Sequence, residues 1–218
     1  MTSTAQSPAI GRRLFFAAMY LSEGAPIGYV WWAMPTRLRA GGMPVESVGA
    51  LIGLLTLPWA LKFLWAPAVD RWRTRRWGYR AWITAAQIAM GLTLLPLALS
   101  PIEAVLPYIT LLLLAHAFSA ATQDVAIDAL AISTVPPEAR GRTTGWMQAG
   151  MLIGRGVFGG LALAAEEWIG ARAVVAILIG VIWTVLILLW LTPRRMLVDE
   201  PPESVHPGLL APLRAMLR

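Results

Sequence analysis

The sequence predicts an all-α integral membrane protein with six transmembrane helices. Of its 218 residues, 57% are hydrophobic and 14% are charged, whereas roughly 25% of the residues of soluble domains are charged. Mean hydropathy is +0.63. Apolar runs close to the ~20 residues that a helix needs to cross a bilayer recur six times. These observations exclude a soluble globular domain. They predict that the chain is inserted in the lipid bilayer, which is therefore one of its partners.

The six predicted helices are separated by segments rich in glycine, proline and charged residues. They cover residues 14–35, 48–69, 81–99, 104–133, 143–165 and 173–191. Polar loops are expected at residues 37–47, 70–80, 136–142 and 166–172. The transmembrane bundle therefore occupies residues 14–192, between a cytoplasmic tail at residues 1–13 and a cytoplasmic segment at residues 193–218.

The arginines predict the orientation of the bundle. Thirteen lie in the tails or in loops on the same side as the tails: Arg12, Arg13, Arg71, Arg73, Arg75, Arg76, Arg80, Arg140, Arg142, Arg194, Arg195, Arg214 and Arg218. The opposite loops hold Arg37, Arg39 and Arg172. Because the cytoplasmic loops of membrane proteins carry an excess of lysine and arginine, both termini are predicted to be cytoplasmic. The preference for arginine over lysine favours a bacterial source, and therefore the inner (plasma) membrane.

The composition also excludes several kinds of site. The chain has no cysteine, so disulfides and thiolate sites are excluded, and its two histidines are too few for a histidine-based metal cluster. The net charge of +6 does not indicate a nucleic-acid partner, because the basic residues cluster in loops between apolar runs. We expect no metal, no cofactor and no enzymatic activity.

The fourth predicted helix carries Gln123, Asp124 and Asp128. The two aspartates are four residues apart and share a helix face. A carboxylate that faced lipid there would cost roughly 2.5–3.5 kcal/mol on insertion scales, so this face must point into protein or into a wet cavity. Two interpretations are open: a substrate or proton pathway, and a structural ion pair that holds the bundle together.

The first predicted helix carries a second intramembrane acid, Glu23, close to Pro26. The proline removes a backbone hydrogen bond and should kink the helix. Glu23 lies about 13 Å into the membrane at 1.5 Å per residue. A carboxylate beside a kink is typical of transporter binding sites. The alternative is that the kink only shapes packing and that Glu23 is tied to an arginine.

Two other polar residues in the helices have simpler interpretations. Lys62 lies near the end of the second helix, where snorkelling to the interface is favoured over contact with a substrate. His116 lies within the fourth helix, where a packed, hydrogen-bonded histidine is favoured over a proton relay.

The fifth predicted helix combines glycines at packing distance with one arginine. The glycines form two GxxxG pairs, which allow close helix approach: Gly150, Gly154, Gly156 and Gly160. Arg155 lies among them and, if buried, needs a carboxylate partner. Glu23 and Asp124 are the candidates at a compatible depth.

Six helices, a basic loop between the second and third, and a long inner segment after the sixth resemble one half of a major facilitator transporter, made of two three-helix repeats. The loop from Asp70 to Arg80 is similar to the superfamily signature, in which an Asp-Arg pair is followed by glycine and basic residues. Its longer spacing, the KFLWAP sequence at residues 62–67, and Gln123-Asp124 with Asp128 resemble the AmpG-type permease branch, which also includes acetyl-CoA transporters.

The resemblance implies a proton-driven permease, whose AmpG-type members import anhydro-muropeptides released from the cell wall. The residues it implies for the substrate and proton pathway are Glu23, Gln123, Asp124, Asp128 and Arg155, the last as a carboxylate partner or a substrate anchor. The residues it implies for a gating loop are Asp70, Arg71, Gly78 and Arg80. Asp70 would cap the third helix or pair across the loop.

The resemblance covers only the N-terminal half of the family, whose substrate sites lie between two halves. We therefore expect either a homodimer, a complementary C-terminal half, or a truncated fragment. A second hypothesis is a non-transporting regulatory or assembly subunit derived from a transporter. An integral membrane enzyme is disfavoured, because Asp124 and Asp128 lack the glycine motif and the second aspartyl helix of an intramembrane protease.

The arginine distribution yields a topology prediction. Reporter fusions at Gly42 and after Arg218 should report opposite sides of the membrane, with the C-terminal fusion in the cytoplasm. A fusion in the arginine-rich loop, after Thr74, is the matched control and should agree with the C-terminal one. The same side for Gly42 and the C-terminus would contradict a six-helix bundle.

Overall fold

The computed structural model of the protein describes residues 6–74, 77–193 and 197, and all regular secondary structure in that part of the chain is helical. The α-helices are α1 (Gln6–Gly28), α2 (Met34–Ala40), α3 (Val45–Leu61), α4 (Ala66–Arg71), α5 (Tyr79–Leu99), α6 (Ile102–Val105), α7 (Ile109–Thr134), α8 (Pro137–Gly156), α9 (Ala162–Ile169) and α10 (Ala171–Leu191). Short π-helical turns at Tyr29–Ala33 and Val157–Leu161 and 3-10 turns at Lys62–Leu64 and Leu106–Tyr108 join neighbouring helices.

Within the described residues, five stretches are long and apolar enough to cross a membrane. They are Val45–Leu64, Tyr79–Leu99, Ile102–Thr134, Pro137–Ile169 and Ala171–Leu191. The helical stretch at residues 6–40 is not among them, since Ser22, Glu23 and Pro26 lower its hydropathy, yet it packs along the fourth of these five. We number the six stretches span 1 (residues 6–40) to span 6 (Ala171–Leu191) in chain order.

The helix boundaries depart from the predicted ones in spans 1, 2 and 5. The second predicted helix, at residues 48–69, is divided into α3, the 3-10 turn at Lys62–Leu64 and α4. Span 1 begins at Gln6, within the predicted tail, and continues to Ala40, within the predicted loop at residues 37–47. Span 5 begins at Pro137, because proline fits the first turn of a helix. It continues to Ile169, so most of the predicted loop at residues 166–172 is helical. The predicted C-terminal segment lies outside the described residues, apart from Pro193 and Leu197.

The connections between spans divide the bundle into two ends. The turn end holds three tight connections, at residues 41–44, 100–101 and 170, and Gly42 and Gly170 there adopt the positive φ angles that glycine permits. The basic end holds the connections at residues 72–78 and 135–136. Arginines at the basic end donate to carbonyl groups where spans 4 and 6 finish, which otherwise lack partners: Arg12 to Thr134, Arg140 to Ile132 and Val135, and Arg80 to Leu189 and Thr192.

Two apolar clusters fill the interior, one toward each end. The cluster near the turn end includes Tyr29, Leu94 and Leu113, and the cluster near the basic end includes Phe16, Ile83 and Leu130. The polar residues that are almost fully buried between them come from spans 1, 3 and 4: Ser22, Glu23, Gln87, Gln123 and Asp124. The interior of the bundle is therefore apolar near each end and polar in the middle.

Glycines bring spans 1 and 5 into backbone contact. A Cβ atom built on Gly150 would lie 2.0 Å from the carbonyl oxygen of Ala17, and one on Gly154 would lie 2.6 Å from the nitrogen of Ala25. From span 1, a Cβ on Gly24 would lie 2.2 Å from the carbonyl oxygen of Met151. These positions exclude any side chain, so the spans cross as closely as their backbones permit.

The two predicted glycine pairs thus differ. The close helix approach predicted for Gly150 and Gly154 is made with span 1 of the same bundle, which covers their face of span 5. Gly156 and Gly160 are exposed and have no atom within 4 Å of a built Cβ. The reason is helical geometry: Gly150 and Gly156 are six residues apart and lie on different faces.

The contact of spans 1 and 5 makes Gly150 intolerant of substitution. Gly150→Leu should lower the melting temperature of the detergent-purified protein and its yield as a monodisperse species, since overpacking costs roughly 1–3 kcal/mol or more. Gly156→Leu, in the same span on the open side, is the control and should melt within a few degrees of the wild type. Equal stability of the two variants would contradict the close crossing.

Candidate functional site

The polar residues between the two apolar clusters form a connected layer across four spans. It contains three carboxyl groups, Glu23, Asp124 and Asp128, and one ammonium group, Lys62. Because polar and charged groups within a bilayer are costly, they are usually enclosed, paired and functional. We call these residues, together with Tyr20, Ser22, Gln87 and Gln123, the polar layer.

Lys62 and Asp124 form an ion pair between spans 2 and 4. Asp124 is 8% exposed and Lys62 is 36% exposed, so the pair joins the interior to a more open space beside span 2. The α-helix of span 2 ends at Leu61, and the 3-10 turn that follows carries the lysine. The expectation that Lys62 snorkels to the interface is therefore wrong, because the Asp124 carboxylate, about four turns into α7, attracts the ammonium group inward.

Asp128 lies one turn beyond Asp124 on the same face, as the spacing predicted. It accepts a hydrogen bond from the hydroxyl group of Tyr20 in span 1. The tyrosine ring is buried in the apolar cluster of the basic end, so only its hydroxyl group reaches the polar layer. Asp124 and Asp128 thus tie span 4 to two different neighbours.

Glu23 is fully buried, and neither of its carboxyl oxygens has a hydrogen-bond partner among the described residues. It approaches Asp124 closely enough to interact but without hydrogen-bond geometry. The alternative prediction, in which Glu23 pairs with an arginine, is wrong for the described residues. Glu23 is thus a buried carboxyl group beside another carboxyl group, with Lys62 as the cation that interacts with both.

An amide branch extends the polar layer toward span 3. The side-chain nitrogen of Gln87 donates to the Ser22 hydroxyl group at 2.9 Å, and that of Gln123 donates to the same oxygen at 3.3 Å. Both amide oxygens are buried and have no partner within the part of the chain that the structure describes. Tyr20, Ser22 and Gln87 were not predicted as site residues, and the available signal was that Gln87 is a polar residue in the middle of span 3.

Arg155 and His116 lie apart from the ion pair. Arg155 forms no ion pair among the described residues, and its buried Nε atom has no acceptor, so the predicted pair with Glu23 or Asp124 is wrong. The Arg155 side chain is partly buried because Arg155 follows Gly154, which packs against span 1. His116 lies near Thr93 Oγ1 at 3.2 Å and the Met90 carbonyl oxygen at 3.1 Å, which is the packed arrangement that was favoured.

At the basic end, two of the predicted gating residues, Asp70 and Arg80, make contacts that join α4, span 3 and span 6. Asp70 accepts a 2.7 Å hydrogen bond from the Tyr79 hydroxyl group, which also accepts one of 3.0 Å from Arg73. Asp70 therefore pairs across the loop, and it does not cap span 3, where Gly78 is the N-cap residue without a side-chain bond. Arg80 donates to Leu189 of span 6 at 2.5 Å. Arg71 is exposed.

At the turn end, a second ion pair joins spans 1 and 5. The Arg37 Nε atom lies 3.2 Å from a carboxyl oxygen of Glu166, and the Arg37 Nη1 atom donates to the Tyr29 hydroxyl group at 3.4 Å. This pair was not predicted, because Glu166 falls within the predicted loop at residues 166–172.

The model of the Major Facilitator Superfamily matches residues 14–218. The chain belongs to the Major Facilitator Superfamily. The resemblance to one half of such a transporter is confirmed in three dimensions by the xylose transporter XylE of Escherichia coli in an inward-open conformation, with a TM-score of 0.64 and 14% identity over 96% of this chain and 54% of that one. This likeness shows the fold alone.

Relatives within the family agree with the AmpG-type resemblance. The anhydromuropeptide permease of E. coli K12 is 25% identical over 195 residues, which are 88% of this chain and 40% of the permease. A Rickettsia felis protein described as transporter AmpG 4 is 26% identical over 68% of this chain and 36% of its own length. The chain thus spans about 40% of the length of the E. coli permease that it matches.

The ion pair of the polar layer yields a stability prediction. Lys62→Met should destabilise the purified protein by roughly 1–3 kcal/mol, less than the 3–5 kcal/mol of a fully buried pair, because Lys62 is partly exposed. Lys62→Met combined with Asp124→Asn removes both charges and should recover most of that loss. Thermal melting of the two variants and of Asp124→Asn measures the coupling. Additive losses would show that the two residues are not paired.

Proposed function

We propose that the chain is the N-terminal six-helix half of a proton-coupled permease in the bacterial inner membrane, with both termini in the cytoplasm, and that its substrate is a cell-wall muropeptide. The observation that carries the proposal is the polar layer. Three carboxyl groups meet one ammonium group in the middle of the bundle, between two apolar clusters.

The charge balance of the layer supports proton coupling. One lysine neutralises one carboxylate, Asp124, while Asp128 is stabilised by the Tyr20 hydroxyl group. Among the described residues, Glu23 has neither an ion-pair partner of its own nor a hydrogen bond, and a buried unpaired charge is costly. Glu23 therefore carries a proton in this arrangement. A rearrangement that wets the layer would release that proton, which is the chemical step that a symporter needs.

The substrate class follows from the relatives. One of them is named as an anhydromuropeptide permease. Peptide carboxylates of such a substrate need a cation, and the buried Nε atom of Arg155 has no acceptor among the described residues. The amide oxygen of Gln123 likewise has no partner in the described part of the chain. In this proposal, Arg155 anchors the substrate and Gln123 lies beside the pathway that Glu23, Asp124 and Asp128 line.

The basic end supplies the gate in this proposal. Asp70 and Arg73 bind Tyr79 and so link α4 and the loop after it to span 3, and Arg80 links span 3 to the end of span 6. Arg71 and Gly78 lie between these contacts. Contacts that join α4, span 3 and span 6 allow them to move as one body when that side opens or closes.

The second half of the pathway would come from a partner, either another copy of the chain or a complementary C-terminal half. The open face of span 5, with Gly156 and Gly160, can approach a helix of that partner closely. Because lipid is as apolar as the helix surface, the hydrophobic effect does not stabilise this contact within the membrane. Van der Waals packing and the enclosure of charged groups would have to stabilise it.

Uptake into proteoliposomes tests the proposed function. The chain is reconstituted alone and together with the unmatched remainder of the E. coli permease, and uptake of radiolabelled anhydromuropeptide is measured with and without an imposed proton gradient. Uptake should need the second half or a homodimer and should rise with the gradient. No uptake in either preparation would favour the non-transporting subunit.

Glu23→Gln tests the coupling residue. The variant keeps the size of a side chain that has no hydrogen bond to lose, so folding should be unchanged, while gradient-driven uptake should fall at least tenfold and substrate exchange without a gradient should persist. Glu46→Gln, at an exposed position of the turn end, is the control and should transport like the wild type. Gradient-driven uptake by Glu23→Gln would remove Glu23 from the mechanism.

A further inference from the structure

A cavity of about 600 Å³ opens at the turn end, on the opposite side of the turn-end apolar cluster from the polar layer. The end of span 1, the turn between spans 3 and 4, and the turn between spans 5 and 6 enclose it. Its charged residues are Arg37, Glu103 and Arg172. None of these three belongs to the polar layer or to the gating loop, so the transport proposal leaves the cavity without a role.

The cavity is lined by two cationic side chains and one anionic side chain. Arg37 is fixed by Glu166 and Tyr29 through its Nε and Nη1 atoms, and among the described residues its Nη2 atom has no acceptor. Arg172 and Glu103 are exposed and form no ion pair with each other, although they line the same space. The cavity thus offers cationic donors and, separately, one carboxylate.

The remaining lining of the cavity is largely apolar. Ile102 and Ile169 contribute side chains, and Ala98 and Ala176 lie farther along spans 3 and 6. Ile169 is 50% exposed. The cavity lies where the membrane spans end, which is the level of the lipid headgroups. A ligand there meets charged groups on one side and apolar surface on the other, as an amphipathic molecule requires.

We propose that this cavity binds the headgroup of a zwitterionic phospholipid that carries a primary ammonium group. Arg37 and Arg172 hold the phosphate, since guanidinium groups match phosphate oxygens. Glu103 accepts hydrogen bonds from the ammonium group, and Ile102 and Ile169 contact the acyl chains. The site is independent of the proposed transport activity.

The charge balance selects a zwitterionic headgroup over an anionic one. Arg37 and Arg172 are balanced by Glu166 and Glu103, so the site has no net charge. A zwitterionic headgroup adds none and gives both Arg172 and Glu103 a partner. An anionic headgroup without an ammonium group would pair with Arg172 but leave Glu103 unpaired beside a second negative charge.

Lipid binding to the purified protein tests the proposal. Native mass spectrometry and thermal melting are measured in a mild detergent with phosphatidylethanolamine, phosphatidylcholine and phosphatidylglycerol, each with the same acyl chains. Phosphatidylethanolamine should remain bound at the lowest concentration and raise the melting temperature most. Soluble glycerophosphoethanolamine, which has the same headgroup without acyl chains, should bind much more weakly. Equally tight binding of that soluble compound would overturn the lipid assignment.

Variants locate the site. Arg172→Ala should weaken phosphatidylethanolamine binding about tenfold, the loss of one hydrogen bond to a charged group. Glu103→Gln should abolish the preference over phosphatidylglycerol while leaving phosphate binding in place. Arg39→Ala and Glu46→Gln, exposed turn-end positions outside the cavity, are the matched controls and should bind like the wild type. Unchanged lipid preference in both cavity variants would overturn the proposal.

Discussion

The bundle depends on enclosing charge in the middle of a membrane. Asp124 cannot face lipid, and its ion pair with Lys62 is the contact that makes its burial tolerable. Once span 4 directs that carboxylate inward, span 2 must bring the lysine to it, and the 3-10 turn at Lys62–Leu64 is where span 2 does so. Asp128, on the same face, then binds Tyr20 of span 1.

Close packing of spans 1 and 5 supplies the second constraint. Gly150 and Gly154 let span 5 contact the backbone of span 1 on the face that holds Gly24. With that side of span 1 covered, Ser22 and Glu23 are left to face spans 3 and 4, where Gln87, Gln123 and Asp124 lie. The glycine crossing therefore determines which residues join the polar layer, although no glycine contributes a polar side chain to it.

The two ends of the bundle differ in chemistry because their connections differ in length. The basic end has a longer loop, and residues in and beside that loop make side-chain contacts that join α4, span 3 and span 6. The turn end has connections too short for such a network. Its contacts instead come from the spans themselves, in the pair of Arg37 with Glu166 and in the cavity that Arg37 lines.

Periodicity and composition in the sequence determined the class of fold and its family. The number of spans, the intramembrane acids and the Asp70–Arg80 loop are local features, since a helix in lipid needs a run of apolar residues and an acid within that run stands out. The shared face of Asp124 and Asp128 was predictable for the same reason, because a four-residue spacing fixes it.

Only the tertiary structure determined which side chain each buried polar residue contacts. Span 4 is apolar on every side except at a few polar residues, so its sequence does not show which neighbour each face meets. The directions of Lys62 and Arg155, and the burial of one glycine pair but not the other, were therefore not readable from spacing. Helix spacing fixes only which residues share a face. The packing of six helices decides whether that face meets a charge, a backbone or lipid.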